Sequence, residues 1–332
     1  MKRLVVRSAS ISGYAELART LGLDPAKLAR RVGLSLRSLS SPDVQIPACK
    51  AYRLLEMSAA LSGVDDFGLR LATKRGLSHL GALGMLVRDE PDVRSALKRM
   101  IASMNLHSTC VALDLQEHRD VAVAGVTVLA DGEPVIRQSV EAAVGLLFQL
   151  LRNLLGTAWR PDGVQFVHAV GATDRPHRLL FGCPVRFSTD RNAVVFGATE
   201  LDSFVPGSDR GFRAYSGIPA QSALPVGGKA TAERVRQSIL LLMPRGECTS
   251  QTVAQSLGMN RRTLHRHLSE GGTGFSSLLS SVRLTLAEQY LRAGLLRMTD
   301  ISSLLGFNSL SSFSRWFVAH TGRAPTAWRR TK

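Results

Sequence analysis

Cysteine is scarce and scattered. The four cysteines among 332 residues, Cys49, Cys110, Cys183 and Cys248, form no C-x-x-C pair, which argues against a disulfide framework or a structural zinc site and fits a reducing cytosol. Long apolar runs are missing too. None approaches the ~20 residues that cross a bilayer, and Leu4, Val5 and Val6 make too short a run for a signal-peptide core. There is no nucleophile elbow, no metal-ligand pair at helical spacing and no phosphate loop; the glycines of GVTVLADGEP and VGGK lack the spacing of a phosphate cradle. Catalysis needs a convergent set of groups, so these absences point away from an enzyme and from any cofactor or metal, and toward a soluble, cytoplasmic protein. Acidic residues are also few: 26 Asp and Glu stand against 42 Lys and Arg, a net charge of +16.

The basic excess is unevenly placed. From Gly228 to Lys332 there are 15 Lys and Arg against 5 Asp and Glu, and charge concentrated on one segment suits a polyanion, nucleic acid before membrane. Upstream, residues 12–105 read as short helices. Tyr14 to Leu21 is one, Asp24 and Pro25 cap and open a second, Pro47 opens a longer one through Leu61, and Asp92 caps another. AELARTLGLDPAKLARR has the spacing of a helix-turn-helix, but Pro25 and its apolar surroundings favour an ordinary helical hairpin. The period then changes. VALDLQEHRDVAVAGVTVL alternates on either side of a polar turn at Glu117 to Asp120, as an antiparallel hairpin does. Ser139 to Leu155 returns to a helix with apolar residues on two faces, one for the domain core and one available to a partner subunit. A strand at Val164 to Val167, a helix at Pro176 to Phe181 and paired strands at Val185 to Phe187 and Ala193 to Phe196 complete an α+β domain. Residues 205–229, rich in Gly, Pro and Ser, read as a linker between a domain over 1–204 and an all-α domain over 230–332.

The second domain is an internal repeat. Val253, Ala254, Leu257, Gly258, Met259 and Asn260 match Ile301, Ser302, Leu305, Gly306, Phe307 and Asn308 at an offset of 48, and Leu264 to Leu268 match Phe313 to Phe317 at an offset of 49. Each copy has helix-turn-helix spacing. The first reader offers Asn260, Arg261, Arg262, Thr263, His265 and Arg266 to DNA, and the second offers Asn308, Ser309, Ser311, Ser312 and Arg315. These are groups that fork onto guanine or phosphate or meet base edges. Phe275 to Ala293 carries one apolar stripe and reads as a single joining helix, ~28 Å long, against a groove repeat of ~34 Å. Arg283 lies off that stripe, placed to touch phosphate or to tie the two halves together.

The run ISSLLGFNSLSSFSRWFVAHTGRAPTAWR resembles the signature of the double helix-turn-helix domain of AraC/XylS-type bacterial transcription regulators, with Ser302 where alanine is usual and Trp328 where tyrosine is common. GYAELARTLGLDP, DDFGLRLA, LGALGMLVRDEPDVRSALKRM, LHS and FGCPVRF resemble the arabinose-binding-type domain of the OruR-like and VirS-like branch. The resemblance implies a homodimer that senses a small-molecule effector with its N-terminal domain, binds promoter DNA and contacts RNA polymerase, as an activator. It does not make arabinose the effector. The alternative is a constitutive dimeric DNA-binding or architectural protein. His79, His107, His168 and Arg178 are the polar groups nearest the predicted core and are the candidates for an effector pocket.

Overall fold

The computed structural model describes every residue except 1–3, 36, 42–43, 81, 105–107, 131–132, 134, 206–227, 244–245, 247, 295 and 331–332. The chain divides into two compact units, Met1–Ser216 and Gly217–Lys332, and the expected linker falls almost wholly outside the described residues.

The first unit opens on short helices: α1 (Tyr14–Thr20), α2 (Pro25–Arg31), α3 (Arg37–Ser40), α4 (Ala48–Ser62), α5 (Phe67–Thr73), α6 (Ala82–Arg88) and α7 (Val93–Ser103). Their starts follow the punctuation. Asp24 accepts from the Ala26 and Lys27 N–H groups ahead of Pro25, and Asp92 accepts from Ser95 N–H at 2.7 Å. The first two form the expected hairpin, α1 packed on α5 and α2 on α4. Two short strands, β1 (Val5–Arg7) and β2 (Gln45–Pro47), pair antiparallel.

A five-stranded sheet follows, built from β3 (Val111–His118), β4 (Val121–Val128), β5 (Gly163–Gln165), β6 (Val185–Arg186) and β7 (Ala193–Gly197) in the order β3-β4-β7-β5-β6. The hairpin register runs from Val111 against Val128 to His118 against Val121, and Arg119 closes the turn at a φ of 51°. The alternation places Ala122, Ala124, Val126 and Val128 in the core. The two late strands are not partners, contrary to the expected pairing: β5 lies between them, parallel to β6 and antiparallel to β7. The chain leaving β6 stays beside the segment that follows β5, with Ser188 N–H donating to the His168 carbonyl and Thr189 N–H to that of Phe166. β7 reaches the free side of β5 only after that detour.

Helix α8 (Arg137–Leu155) crosses the sheet, and α9 (Arg175–Phe181) follows β5. Both apolar faces of α8 are occupied within this unit. One packs on β4 and β7 and the other on α4 and α5, so the wide apolar coverage is consumed at home instead of presenting a face to a partner subunit. The α5 contact is close enough to demand glycine: a Cβ at Gly68 would stand 2.0 Å from the Gln138 carbonyl oxygen, while the Gln138 side chain accepts from Gly68 N–H at 2.8 Å. Burying Leu147, Phe148, Leu150, Leu151 and Leu154 contributes about 1.5–3 kcal/mol each, which makes α8 the spine of the unit.

The second unit is all helical: α10 (Gly228–Leu242), α11 (Ser250–Ser256), α12 (Arg261–Glu270), α13 (Phe275–Ala293), α14 (Met298–Leu304), α15 (Leu310–Thr321) and α16 (Pro325–Arg330). The joining helix has the bounds that its apolar stripe predicted, and it buries Phe275, Leu278, Val282, Leu286 and Leu291. Helix α10 contacts α11, α12 and α13, and α13 in turn contacts α14 and α16, so α13 joins the two helical groups. None of the four cysteines is in a disulfide, and among the described residues no helix is long and apolar enough to cross a membrane and no cluster of three or more His, Cys, Asp or Glu could hold a metal ion.

Candidate nucleic-acid interface and effector pocket

The two readers share one local design. Thr249 caps α11 in a reciprocal box with Thr252. The chain then turns at Gly258 with φ of 68°, and Met259 N–H donates to the Ala254 carbonyl at 3.0 Å. The second copy turns at Gly306, also at φ 68°, with Phe307 N–H donating to Ser302 at 3.0 Å. A side chain other than glycine would be strained at either turn. Helix α12 is then capped by Asn260, whose Oδ1 accepts from Thr263 N–H at 2.8 Å, and α15 by Ser309, whose Oγ accepts from Ser312 N–H at 3.1 Å. The caps fix the change of offset from 48 to 49. Asn260 is two residues beyond its turn glycine and Ser309 three beyond its own, so the extra residue is Asn308, which stands outside the helix, and not at its entry as Asn260 does.

At about 100° per residue, Leu264 and Leu268 occupy the same angular positions in α12 as Phe313 and Phe317 in α15, and all four are fully buried. The opposite face of α12 exposes Arg261, Arg262, His265 and Arg266, with Arg266 leaning toward Glu270 at 3.9 Å. Thr263 is half-buried. On α15 the corresponding positions are Leu310, Ser311, half-buried Ser314 and Arg315, with Val318 one turn further on. Leu310 and Val318 are 40% and 42% exposed, and the sequence pattern, which singles out only polar side chains of this helix as outward-facing, does not mark them. Apolar side chains on a reading face meet thymine methyl groups.

Arg283 resolves its two sequence readings in favour of the tie. From α13 its Nε donates to the Leu305 carbonyl at 3.0 Å and its Nη2 to that of Gly306 at 3.2 Å, while its guanidinium lies 4.5 Å from the Phe307 ring centroid. Burial pulls its pKa below the usual range, partly opposed by Cys248, whose own thiol burial pushes up to about 11. One side chain therefore connects the joining helix, the approach to α11 and the turn of the second reader.

In the first unit a cavity of about 90 Å³ lies among α4, α8 and the inner ends of β3 and β4. Its polar wall is Ser10, Tyr52, Arg75, His79, Ser108 and Ser139; the remaining wall is aliphatic, alanine or Met104. Of the four sequence candidates, His79 lines it. Its Nδ1 accepts from Gly76 N–H at 3.1 Å, which leaves the ring proton on Nε2, and burial first, then the Arg75 charge, holds its pKa below the usual range. His168 instead stacks 4.9 Å from Phe166 beside the buried Glu141, and burial lowers its pKa more than that carboxylate raises it. The same carboxylate accepts from Arg137 at 2.9 Å and His177 at 3.1 Å. Arg178 is exposed and paired with Asp174 at 2.7 Å on α9, outside the cavity, and His107 falls outside the described residues.

Arg75 is the group that sequence reading missed. It is 6% exposed, and its Nε and Nη2 both donate to the Ser12 carbonyl at 3.3 Å. Burial lowers its pKa to about 9. Nothing in LATKRG distinguishes this arginine from a solvated one, because its burial is created by segments distant in sequence.

Comparison with known proteins agrees with both halves. Residues 22–204 match the family described as the arabinose-binding domain of AraC transcription regulator, N-terminal, and residues 253–331 match a helix-turn-helix domain. The chain is 28% identical to the HTH-type transcriptional regulator VirS of Mycobacterium tuberculosis, over 98% of this chain and 96% of that one. It is 26% identical to the ornithine utilization regulator of Pseudomonas aeruginosa, over 88% and 86%. A shorter stretch, 42% of this chain and 39% of the other, is 31% identical to the transcriptional activator NphR of a Rhodococcus species. With paired helix-turn-helix readers in one unit and an α+β unit before them, the chain is a DNA-binding transcription regulator and not an enzyme, and it belongs to the AraC family.

Proposed function

We propose that the protein is a promoter-binding activator whose two readers enter successive major grooves on one face of DNA, and whose N-terminal unit senses a small-molecule effector and forms the homodimer. The observation that carries the DNA reading is the angular match of α12 and α15 about a shared helix, which turns equivalent faces outward while Arg283 holds the second turn against α13. Arg261, Arg262, His265 and Arg266 supply phosphate and guanine contacts. Asn260 and Thr263 add the amide and hydroxyl at the helix entry. Ser311, Ser312, Arg315, Asn308 and Ser309 serve the second groove, with Leu310 and Val318 beside them. The effector reading is supported by the largely apolar cavity behind β3, β4 and α8. Activation is proposed from the likeness of 42% of this chain to the transcriptional activator NphR, and contact with RNA polymerase in the nucleoid belongs to the same proposal.

The test is a footprint on a site selected from genomic fragments. A fragment lacking residues 1–225 is expected to be monomeric and to protect about two helical turns. Protection of a single groove would defeat the two-reader arrangement. Binding by the full chain that no metabolite alters would favour the constitutive alternative.

A further inference from the structure

Three hydroxyl or guanidinium groups face the cavity with little to bind. Ser10 Oγ and Ser139 Oγ are buried with no hydrogen-bond partner, and Ser139 as a whole is 8% exposed. Arg75 meets only the Ser12 carbonyl, at two long distances, and among the described residues no carboxylate pairs with it. The other polar groups of the wall have commitments. Tyr52 Oη donates to the Leu129 carbonyl at 3.0 Å, Ser108 Oγ bonds the Cys110 sulfur at 3.2 Å, and His79 Nδ1 receives Gly76 N–H. A buried cation without a counter-charge is costly, and a buried hydroxyl without a partner is costly in the same sense. All three line the same cavity, and one ligand feature has the valence to satisfy them together. A carboxylate accepts two parallel bonds from a guanidinium and keeps lone pairs for two hydroxyl donors.

We infer that the effector is a small monocarboxylate with an apolar body, its carboxylate held by Arg75, Ser10 and Ser139 and its hydrocarbon lying against the aliphatic faces of α8, β3 and β4. The inference rests on the sensing role proposed above and names the class of molecule sensed. The wall argues against a sugar despite the family description, since a pentose carries oxygen on every carbon and would leave most of those oxygens against Leu, Val and Ala side chains. It also argues against a dianion. The His79 pKa is lowered, chiefly by burial, so among the described residues Arg75 is the strong positive charge on the wall, and a second carboxylate would be buried without a matching cation.

The experiment is calorimetry and thermal shift on the full chain. The panel is straight-chain carboxylates from butanoate to decanoate and benzoate, their matched primary amides, hexanedioate and arabinose. At least one monocarboxylate is expected to raise the melting temperature, with its amide, hexanedioate and arabinose binding at least tenfold more weakly. Arg75→Met is expected to cost at least tenfold in carboxylate affinity, and Ser139→Ala a few-fold, in proteins whose circular dichroism matches the parent. Arg75→Lys, which keeps the charge, is expected to recover part of the loss. Equal binding of acid and amide, tighter binding of arabinose, carboxylate affinity unchanged in Arg75→Met, or no shift with any acid would each overturn the inference. A gel shift on the selected genomic site, run on the same samples, separates the two readings. Intact DNA binding with no response to acids removes only the carboxylate inference, and failure to bind DNA removes the regulator reading beneath it.

Discussion

Arg75→Met is expected to stabilise the ligand-free protein, against the usual direction of core substitutions. The magnitude comes from the burial of the charge. A pKa brought down to about 9 from the ordinary arginine range reflects a penalty of roughly 5 kcal/mol on the charged form. The Ser12 carbonyl loses its donor in the variant, which takes back about 1–3 kcal/mol. Methionine fills much of the vacated space with apolar atoms. The net expectation is a gain of about 2 kcal/mol, or 4–8 °C in the transition of the N-terminal unit at ~2–4 °C per kcal/mol. The sign of the pH dependence is also fixed. Because the folded-state pKa is depressed, the parent carries the whole penalty below about pH 9 and sheds about 1.4 kcal/mol of it per pH unit above that point, as Arg75 loses its proton in the folded state while the unfolded chain keeps it. The gap between variant and parent should therefore be constant from pH 6 to 8.5 and narrow by pH 10, in melts followed by circular dichroism. A variant less stable than its parent at neutral pH, or a gap that widens with pH, would refute the claim that this arginine is a buried charge awaiting a counter-charge.

Other expectations concern the readers and the helix spine. Arg261→Ala and Arg262→Ala should each weaken promoter binding with no change in oligomeric state, and reduce the steepness of the log affinity against log salt plot by about 1 where the lost contact is to phosphate; gel shifts across salt concentrations check this. Arg283→Met should lower the stability of the DNA-binding unit by about 1.5–3 kcal/mol, since the Leu305 and Gly306 carbonyls lose a charged donor, and shorten the footprint at the second reader's end. Glu56, whose carboxylate accepts from Gln138 N–H at the start of α8, has its pKa raised to about 7, by burial first. The protonated form is favoured on folding, so this stabilisation is present in acid and is lost as pH rises from about 4.5 through 7. Glu56→Gln should flatten that slope in melts between pH 5 and 7.5.

Where side chains report their own local environment, the sequence was readable. The period change at Val111 marked the β3–β4 hairpin, Asp24 and Asp92 marked helix starts through their caps, and the stripe from Phe275 to Tyr290 pointed to the single helix Phe275 to Ala293 that α13 is. What escaped was long-range. The placing of β5 between β6 and β7 depends on how the chain after β6 docks beside Phe166 and His168, which no period encodes. The burial of Arg75 is imposed by elements from β1 to α8 folding around a Lys-Arg-Gly turn that looks solvated on its own. His168 and Arg178 were near apolar residues in sequence, but one is absorbed by Glu141 and its aromatic neighbours and the other by Asp174 on the surface. In the readers, the glycine turns were visible, whereas the roles of Asn260 and Ser309 as caps became clear only from which N–H each one accepts.

Under the proposed two-reader arrangement, the unlike chemistry of the matched faces would give the operator a direction. Arg261 in α12 has Leu310 at its place in α15, and Arg262 has Ser311, so reversing a bound monomer would set arginines against bases that suit methyl contacts. A half-site for such a protein is an arrow and not a palindrome.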